Sequence, residues 1–198
     1  MSKYWYLFYK SMKTDFFRNT STLVFGTVIA QAIPIILSPF LRRMYSPEAY
    51  GAYSVYLSML GILFVLSSFR YEMAIVLPRS DRQAKHLLFL SQSINLIFCL
   101  ALFVLTIAFQ DELGRLLNIP QQFRLFLLFI PLGTFLYNLY QAFHYYLIRQ
   151  KRFVAVSVNK SIRRGSEGMI QLGAQRMGSS GGLLAGDITG HLLNCVSG

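Results

Sequence analysis

Residues 21–41, STLVFGTVIAQAIPIILSPFL, are followed after a seven-residue break by residues 49–69, AYGAYSVYLSMLGILFVLSSF, and neither run holds an Asp, Glu, Lys or Arg. Two further runs, 87–110 and 125–148, are equally uncharged. A helix of about 20 apolar residues rises about 30 Å, the thickness of a bilayer's hydrocarbon core. A single Asp, Lys or Arg at its centre costs about 2.5–3.5 kcal/mol on insertion. Four such runs within the first 150 residues cannot share one soluble core. The fold class is therefore all-α, a polytopic transmembrane helix bundle of about six helices. Two more spans are expected near 155–177 and 181–198, after a cytoplasmic segment at 1–20.

Composition supports this class. The chain is 54% apolar and 14% charged, too apolar for an ordinary soluble domain. A membrane β-barrel would show short alternating segments instead of unbroken apolar runs. The net charge of +11 would suit nucleic acid if it were clustered on one surface. It is instead spread over the loops, so no nucleic-acid partner is expected.

That spread sets the orientation. Lys3, Lys10, Lys13 and Arg18 precede the first run, Arg70, Arg79, Arg82 and Lys85 follow the second, and Arg149, Lys151, Arg152, Lys160, Arg163 and Arg164 follow the fourth. The alternate loops hold only Arg42, Arg43, Arg115 and Arg124. Fourteen basic residues against four place the N-terminus, the 70–85 loop and the 149–164 segment in the cytoplasm. Tyr45, Tyr50, Tyr53, Tyr56, Tyr145 and Tyr146 fall near run ends, as interfacial anchors should. The first run is too long for a signal-peptide core and no small-x-small site follows it. Cys99 and Cys195 sit in apolar segments and read as small buried hydrophobes.

Gln31, Pro34 and Pro39 interrupt the first run and Pro131 the fourth. Proline removes a backbone donor and kinks or breaks a helix; either an ordinary packing kink or a bendable, pathway-lining helix follows. Residues 153–177, FVAVSVNKSIRRGSEGMIQLGAQRM, are helical in period but polar. Lys160, Arg163, Arg164 and Glu167 share one face, with Val154, Val158, Ile162 and Met169 elsewhere on the helix. Two readings follow: an amphipathic helix at the headgroups, or a fifth span whose cations line an interior cavity. After a turn at Gly178–Gly182, Gly182, Gly186 and Gly190 recur at the spacing that lets helices approach closely. Asp187 and His191 stand one turn apart, as a proton-coupling pair or as an interhelical hydrogen-bond contact. The apolar run stops at Gly198 without a loop or charged tail, which reads as the end of an N-terminal piece.

No enzyme constellation is read: there are eight acidic residues, no paired carboxylates and no phosphate-cradling glycine loop. His86, His144 and His191 lack zinc-ligand spacing. Neither a cofactor nor a metal is expected.

The stretch from Phe25 to Ser91 resembles the N-terminal part of the bacterial polysaccharide biosynthesis proteins, the O-antigen and capsule repeat-unit flippases of the multidrug/oligosaccharidyl-lipid/polysaccharide exporter superfamily. The resemblance rests on the proline-containing first helix, on Tyr45-Ser46-Pro47-Glu48-Ala49-Tyr50-Gly51, and on Arg70-Tyr71-Glu72-Met73-Ala74-Ile75-Val76-Leu77-Pro78 with Asp81 and Ala84 after it. Gly182-Leu183-Leu184-Ala185-Gly186 is similar to the family's sixth helix. It implies one lobe of a two-lobe exporter in the bacterial inner membrane. Such exporters move an undecaprenyl-diphosphate-linked oligosaccharide between leaflets by alternating access. The implied partners are the lipid bilayer, that lipid-linked oligosaccharide, a polysaccharide polymerase with its chain-length partner, and a second lobe or a homodimer. Lys160, Arg163, Arg164, Glu167 and Gln31 are then cavity candidates, Arg70 and Glu72 a gate or structural ion pair, and Asp187 and His191 coupling candidates. The alternatives are a cation-coupled drug exporter of the same superfamily and an inactive remnant or membrane scaffold.

The charge asymmetry makes a direct prediction. Alkaline phosphatase inserted within residues 79–85 is expected to be inactive and within 111–124 active, with green fluorescent protein giving the reverse pattern. Equal signals at both loops would contradict the assigned topology.

Overall fold

A computed structural model describes residues 2–176 and 181–197, with side chains over 20–176 and 181–193. Its described elements are helical: α1 (Ser2–Met44), α2 (Pro47–Ser67), the short α3 (Tyr71–Ala74), α4 (Asp81–Ala108), α5 (Gln110–Leu116), a 3-10 turn (Gln121–Phe123), α6 (Leu125–Leu128), α7 (Ile130–Arg149), α8 (Phe153–Arg176) and α9 (Gly182–Ser197). Thr20–Met44, Pro47–Ser67, Asp81–Ala108 and Gln121–Arg149 are long and apolar enough to cross a membrane. The chain is a multi-pass membrane protein built as an all-helical bundle. The Gly178–Ser180 part of the turn read from the sequence, the Cys195 side chain, and residues 177 and 198 of the two last expected spans lie outside the described residues.

Local chemistry explains the boundaries. Ser46 caps α2 by accepting the Ala49 amide at 3.2 Å, with Pro47 in the first turn and Glu48 beside it. Ser80 does the same for α4, accepting from Gln83, and Asp81 follows it. A hydroxyl cap satisfies one orphan donor, and an acid beside it complements the helix dipole. α7 ends where Lys151 turns left-handed (φ 58°), its amide bonding Ile148 O and that of Arg152 bonding Leu147 O, a common way to close a helix. The expected proline interruptions divide. α1 stays helical through Pro34 and Pro39. The fourth run does break, between α6 and α7, and Pro131 falls in the first turn of α7, where a missing amide hydrogen costs little.

Burial runs opposite to that of a soluble protein. Val28, Ile29, Ile35, Ile36, Ile97 and Val104 are exposed, whereas Ser91, Asn95, Thr134, Asn138, Arg163, Glu167, Asp187 and His191 are buried. Hydrocarbon accepts the former, while polar groups must find one another inside. One such network ties α2, α7 and α4: Asn138 donates to Ser67 Oγ at 3.2 Å, Gln92 donates to Asn138 Oδ1 at 3.3 Å, and Asn95 donates to Gln92 Oε1 at 3.3 Å and to Phe135 O at 3.2 Å. Cys99 is buried against Asn95 Oδ1. An apolar core joins Tyr45, Tyr56, Leu60, Phe123, Leu127 and Leu183.

α8 packs most extensively on α1 and α9. Ser157 donates to Thr22 O, Lys160 to Thr27 Oγ1 and Gln175 to Met44 O. These residue numbers rise together, so α8 runs parallel to α1 along its whole apolar span, about 33 Å at 1.5 Å per residue. α9 returns antiparallel on α8, Gly182 against Ala174, Gly186 against Gln171 and Glu167, and Gly190 against Arg163 and Glu167.

A Cβ on Gly186 would lie 2.5 Å from Gln171 Cγ and 2.8 Å from Glu167 O, while one on Gly51 meets nothing within 4 Å. Gly186→Leu is therefore expected to destabilise the bundle by about 1–3 kcal/mol through overpacking, read as a lower melting temperature in detergent. Gly51→Ala should melt close to wild type. Equal melting of Gly186→Leu and wild type would contradict the α8–α9 contact.

Candidate functional site

The charged face of α8 points inward. Arg163, Glu167 and Gln171 are buried and Lys160 and Arg164 half-buried, while Val154, Val158, Ile162 and Met169 are exposed on the opposite side. The helix is thus amphipathic in the sense suited to hydrocarbon and unsuited to water. Its polar sequence is accommodated because α1, α2, α7 and α9 supply partners around it.

Three clefts follow this face from one end to the other. The first, about 300 Å³, lies between Thr27 and Gln31 of α1, Tyr137, Tyr140 and His144 of α7, and Lys160, Arg163 and Arg164. The second, about 200 Å³, is bordered by Leu57, Gly61, Tyr137, Arg163, Arg164, Asp187 and His191. The third, about 150 Å³, lies between Pro34, Tyr50, Tyr53, Arg164, Glu167 and Gln171. Arg164 borders all three and Arg163 two of them.

Charge is compensated unevenly along this path. Arg164 donates to Glu167 Oε2 at 2.9 Å. Glu167 Oε1 also accepts the Tyr53 hydroxyl at 3.4 Å, and Gln171 donates to Tyr53 Oη and to Leu183 O. Asp187 Oδ2 accepts the Tyr56 hydroxyl at 3.1 Å, and Asp187 Oδ1 lies 3.6 Å from His191 Nε2. Arg163 and Lys160 differ from Arg164. Among the described residues neither has a carboxylate within 4 Å. Arg163 Nη1 lies against the His191 ring, 2.9 Å from Nε2 and 3.4 Å from Nδ1, its guanidinium carbon stands 5.0 Å over the Tyr140 ring, and its buried Nε has no hydrogen-bond partner among the described residues. Lys160 has the Thr27 hydroxyl at 3.3 Å. A buried cation without a counter-ion, as Arg163 is, is expensive and marks function more often than stability.

The structure therefore gathers Lys160, Arg163, Arg164, Glu167, Gln31, Asp187 and His191 along one path. Arg70 and Glu72 stand apart from these clefts. Glu72 is fully buried in α3, just past the end of α2, accepting the Ser68 hydroxyl at 2.5 Å, with the Arg70 guanidinium 3.7 Å away and stacked over Phe64. Phe69 and Arg70 are both left-handed there. Arg149 ties the adjoining loop to α7 through Pro78 O and Asp81.

One expectation is corrected. Tyr45, Tyr53 and Tyr56 are buried and do not form an interfacial belt, because their hydroxyls serve acceptors on α8 and α9. Tyr45 donates to Gln171 O at 2.6 Å, and burial in the loop between α1 and α2 pushes its phenol up from the ordinary value. Tyr137 and Tyr140, in the cleft wall, were also not foreseen. The signal for Tyr53 and Tyr56, and for Tyr137 and Tyr140, was their spacing of three residues along one helix face, which fits an interior ladder as well as a membrane edge.

The polysaccharide biosynthesis protein family model matches residues 16–184. No curated protein and no solved structure matches the chain.

The Arg164–Glu167 pair is testable by a double-mutant cycle. Glu167→Leu leaves the Arg164 guanidinium without its carboxylate and is expected to cost about 1–3 kcal/mol, below the fully buried case because Arg164 is about one-third exposed. Adding Arg164→Met should recover most of that loss in melting temperature. Simple additivity of the two changes would argue against coupling between them.

Proposed function

This chain belongs to the polysaccharide biosynthesis protein family, and from that membership and the charge of its clefts we propose that it translocates a lipid-diphosphate-linked oligosaccharide across the bacterial inner membrane. A role in polysaccharide biosynthesis or export follows from the family alone. The finer reading rests on one observation: Lys160 and Arg163 line one cleft, and among the described residues neither has a carboxylate within 4 Å. A lipid diphosphate carries charge that hydrocarbon cannot accept bare. Fixed cations in a polar cleft replace the lost hydration and do not need to reorganise.

Two features support the reading. α8 accompanies α1 through its entire span with its apolar side outward, which suits a fifth crossing better than a helix lying at the headgroups. In addition, the first cleft is lined by three cations and no acid, which suits an anionic headgroup better than a cationic drug. With the N-terminus in the cytoplasm, the Gln31–Lys160 end of the path faces the cytoplasm and the Tyr50–Gln171 end the periplasm. A headgroup then enters against Lys160 and Arg163 and meets the Arg164–Glu167 pair midway. The work is movement without bond-making chemistry, so no enzyme activity is assigned. A second lobe or a second copy completes the pathway, and a polysaccharide polymerase with its chain-length partner receives the product.

Deleting the gene is expected to abolish the surface polysaccharide, and unchanged polysaccharide would overturn the proposal. In complementation, Arg163→Ala and Lys160→Ala should each lower polysaccharide output roughly tenfold or more, the scale of one charge-assisted contact. Met169→Leu, on the exposed face, should behave as wild type.

A further inference from the structure

The first cleft has two unlike walls. α8 contributes Lys160, Arg163 and Arg164, whereas α1 and α7 contribute amides, phenols and an imidazole, among them Gln31, Tyr137, Gln141, His144 and Tyr145. The four α7 residues recur at i, i+4, i+7 and i+8, so one face of that helix carries them all. Among the described residues the Gln31 and Gln141 amides and the Tyr137 and Tyr145 hydroxyls make no hydrogen bond. α7 shows the contrast within itself. On its α2 and α4 side Asn138 donates to Ser67 Oγ and accepts from Gln92, while one turn further, on the cleft side, Gln141 has no partner. Both α1 and α7 belong to spans apolar enough to cross a membrane. A side-chain amide at that depth is costly when nothing bonds it, so packing gives no reason for this wall.

We propose that the α1–α7 wall is the sugar subsite of this cleft, where Gln31, Gln141 and Tyr137 hold the hydroxyls of the sugar next to the diphosphate. A diphosphate accepts hydrogen bonds, so amide carbonyl oxygens are of no use to it. Sugar hydroxyls both donate and accept, as amides and phenols do, and the two sets match. The guanidinium of Arg163 stands 5.0 Å over the Tyr140 ring, so the cationic wall and the neutral wall meet there. That junction suits the bond between diphosphate and sugar. The cleft measures about 300 Å³, the low end of the roughly 300–1,000 Å³ of small-ligand pockets. It therefore holds the linkage-proximal sugar and not a whole oligosaccharide. A polar wall left unpaired by the wrong ligand is also a means of rejection: a bare prenyl diphosphate leaves these groups unbonded. The assignment rests on the lipid-diphosphate reading of the cleft and adds which part of the substrate is recognised.

The test compares ligands that differ only in the sugar. The 198-residue chain in nanodiscs of zwitterionic lipid is titrated with farnesyl diphosphate and with farnesyl diphosphate bearing glucose, galactose or N-acetylglucosamine, against empty nanodiscs as the blank. Wild type should bind at least one glycosylated probe about tenfold or more tighter than the bare one, the scale of two neutral hydrogen bonds. Gln31→Met, Gln141→Met and Tyr137→Phe remove polar atoms at nearly constant shape. Each should narrow that preference about threefold or more while leaving the affinity for bare farnesyl diphosphate within about twofold. If the melting temperature shows that one variant does not fold, the other two decide. A wild type that binds no probe overturns the lipid-diphosphate reading and the subsite with it. A wild type that binds all four probes alike overturns the subsite and leaves that reading standing. Variants that keep the full preference, or that weaken all four probes equally, also overturn the subsite, the second pattern being that of a merely structural role.

Discussion

Placing a helix with three cations beside an apolar span is the constraint from which the rest of this bundle follows. α8 contacts α1 from Thr22 to Met44, so Lys160, Arg163, Arg164 and Glu167 lie at the depth of a run with no charge of its own. Their side chains can only turn inward, because a charge facing hydrocarbon costs several kcal/mol. That rotation sets the outward face of α8, and it obliges α2, α7 and α9 to present acceptors. Tyr53, Tyr56 and Asp187 do so.

The close approach of α9 has the same origin. Side-chain contacts as short as those between Arg163 and His191, and between Gln171 and Leu183 O, require the two backbones to come near each other. The glycines at 182, 186 and 190 permit this, since any larger residue at Gly186 would collide with Gln171 and the Glu167 carbonyl. Glycine spacing and buried charge are thus two parts of one arrangement: the first brings α9 close enough for His191 to reach the arginine.

The α4 side of the bundle solves an easier problem. Its amide chain from Ser67 to Asn95 is neutral throughout, with the buried Glu72 set beside its Ser67 end through Ser68. Neutral hydrogen bonds of this kind fix helix rotation at modest energy. The bundle therefore divides into a neutral, packing side around α4 and a charged side around α8. The three clefts lie on the charged side.

Hydropathy marked, from the sequence alone, the four segments long and apolar enough to cross a membrane, and loop charge set the orientation expected of them. Both are sums over local residues and need no knowledge of partners. The sequence also marked Lys160, Arg163, Arg164 and Glu167 as sharing a face, since helical periodicity is local too. It left open whether that face met headgroups or an interior, and it misplaced Tyr45, Tyr53 and Tyr56. Which way a helix is turned about its axis depends on neighbours distant in the chain. Only the tertiary structure decided that Glu167 takes Arg164, that Tyr56 takes Asp187, and that Arg163 lies against His191. Pairing follows from the rotation and register of four packed helices at once, and no single segment of sequence encodes that geometry.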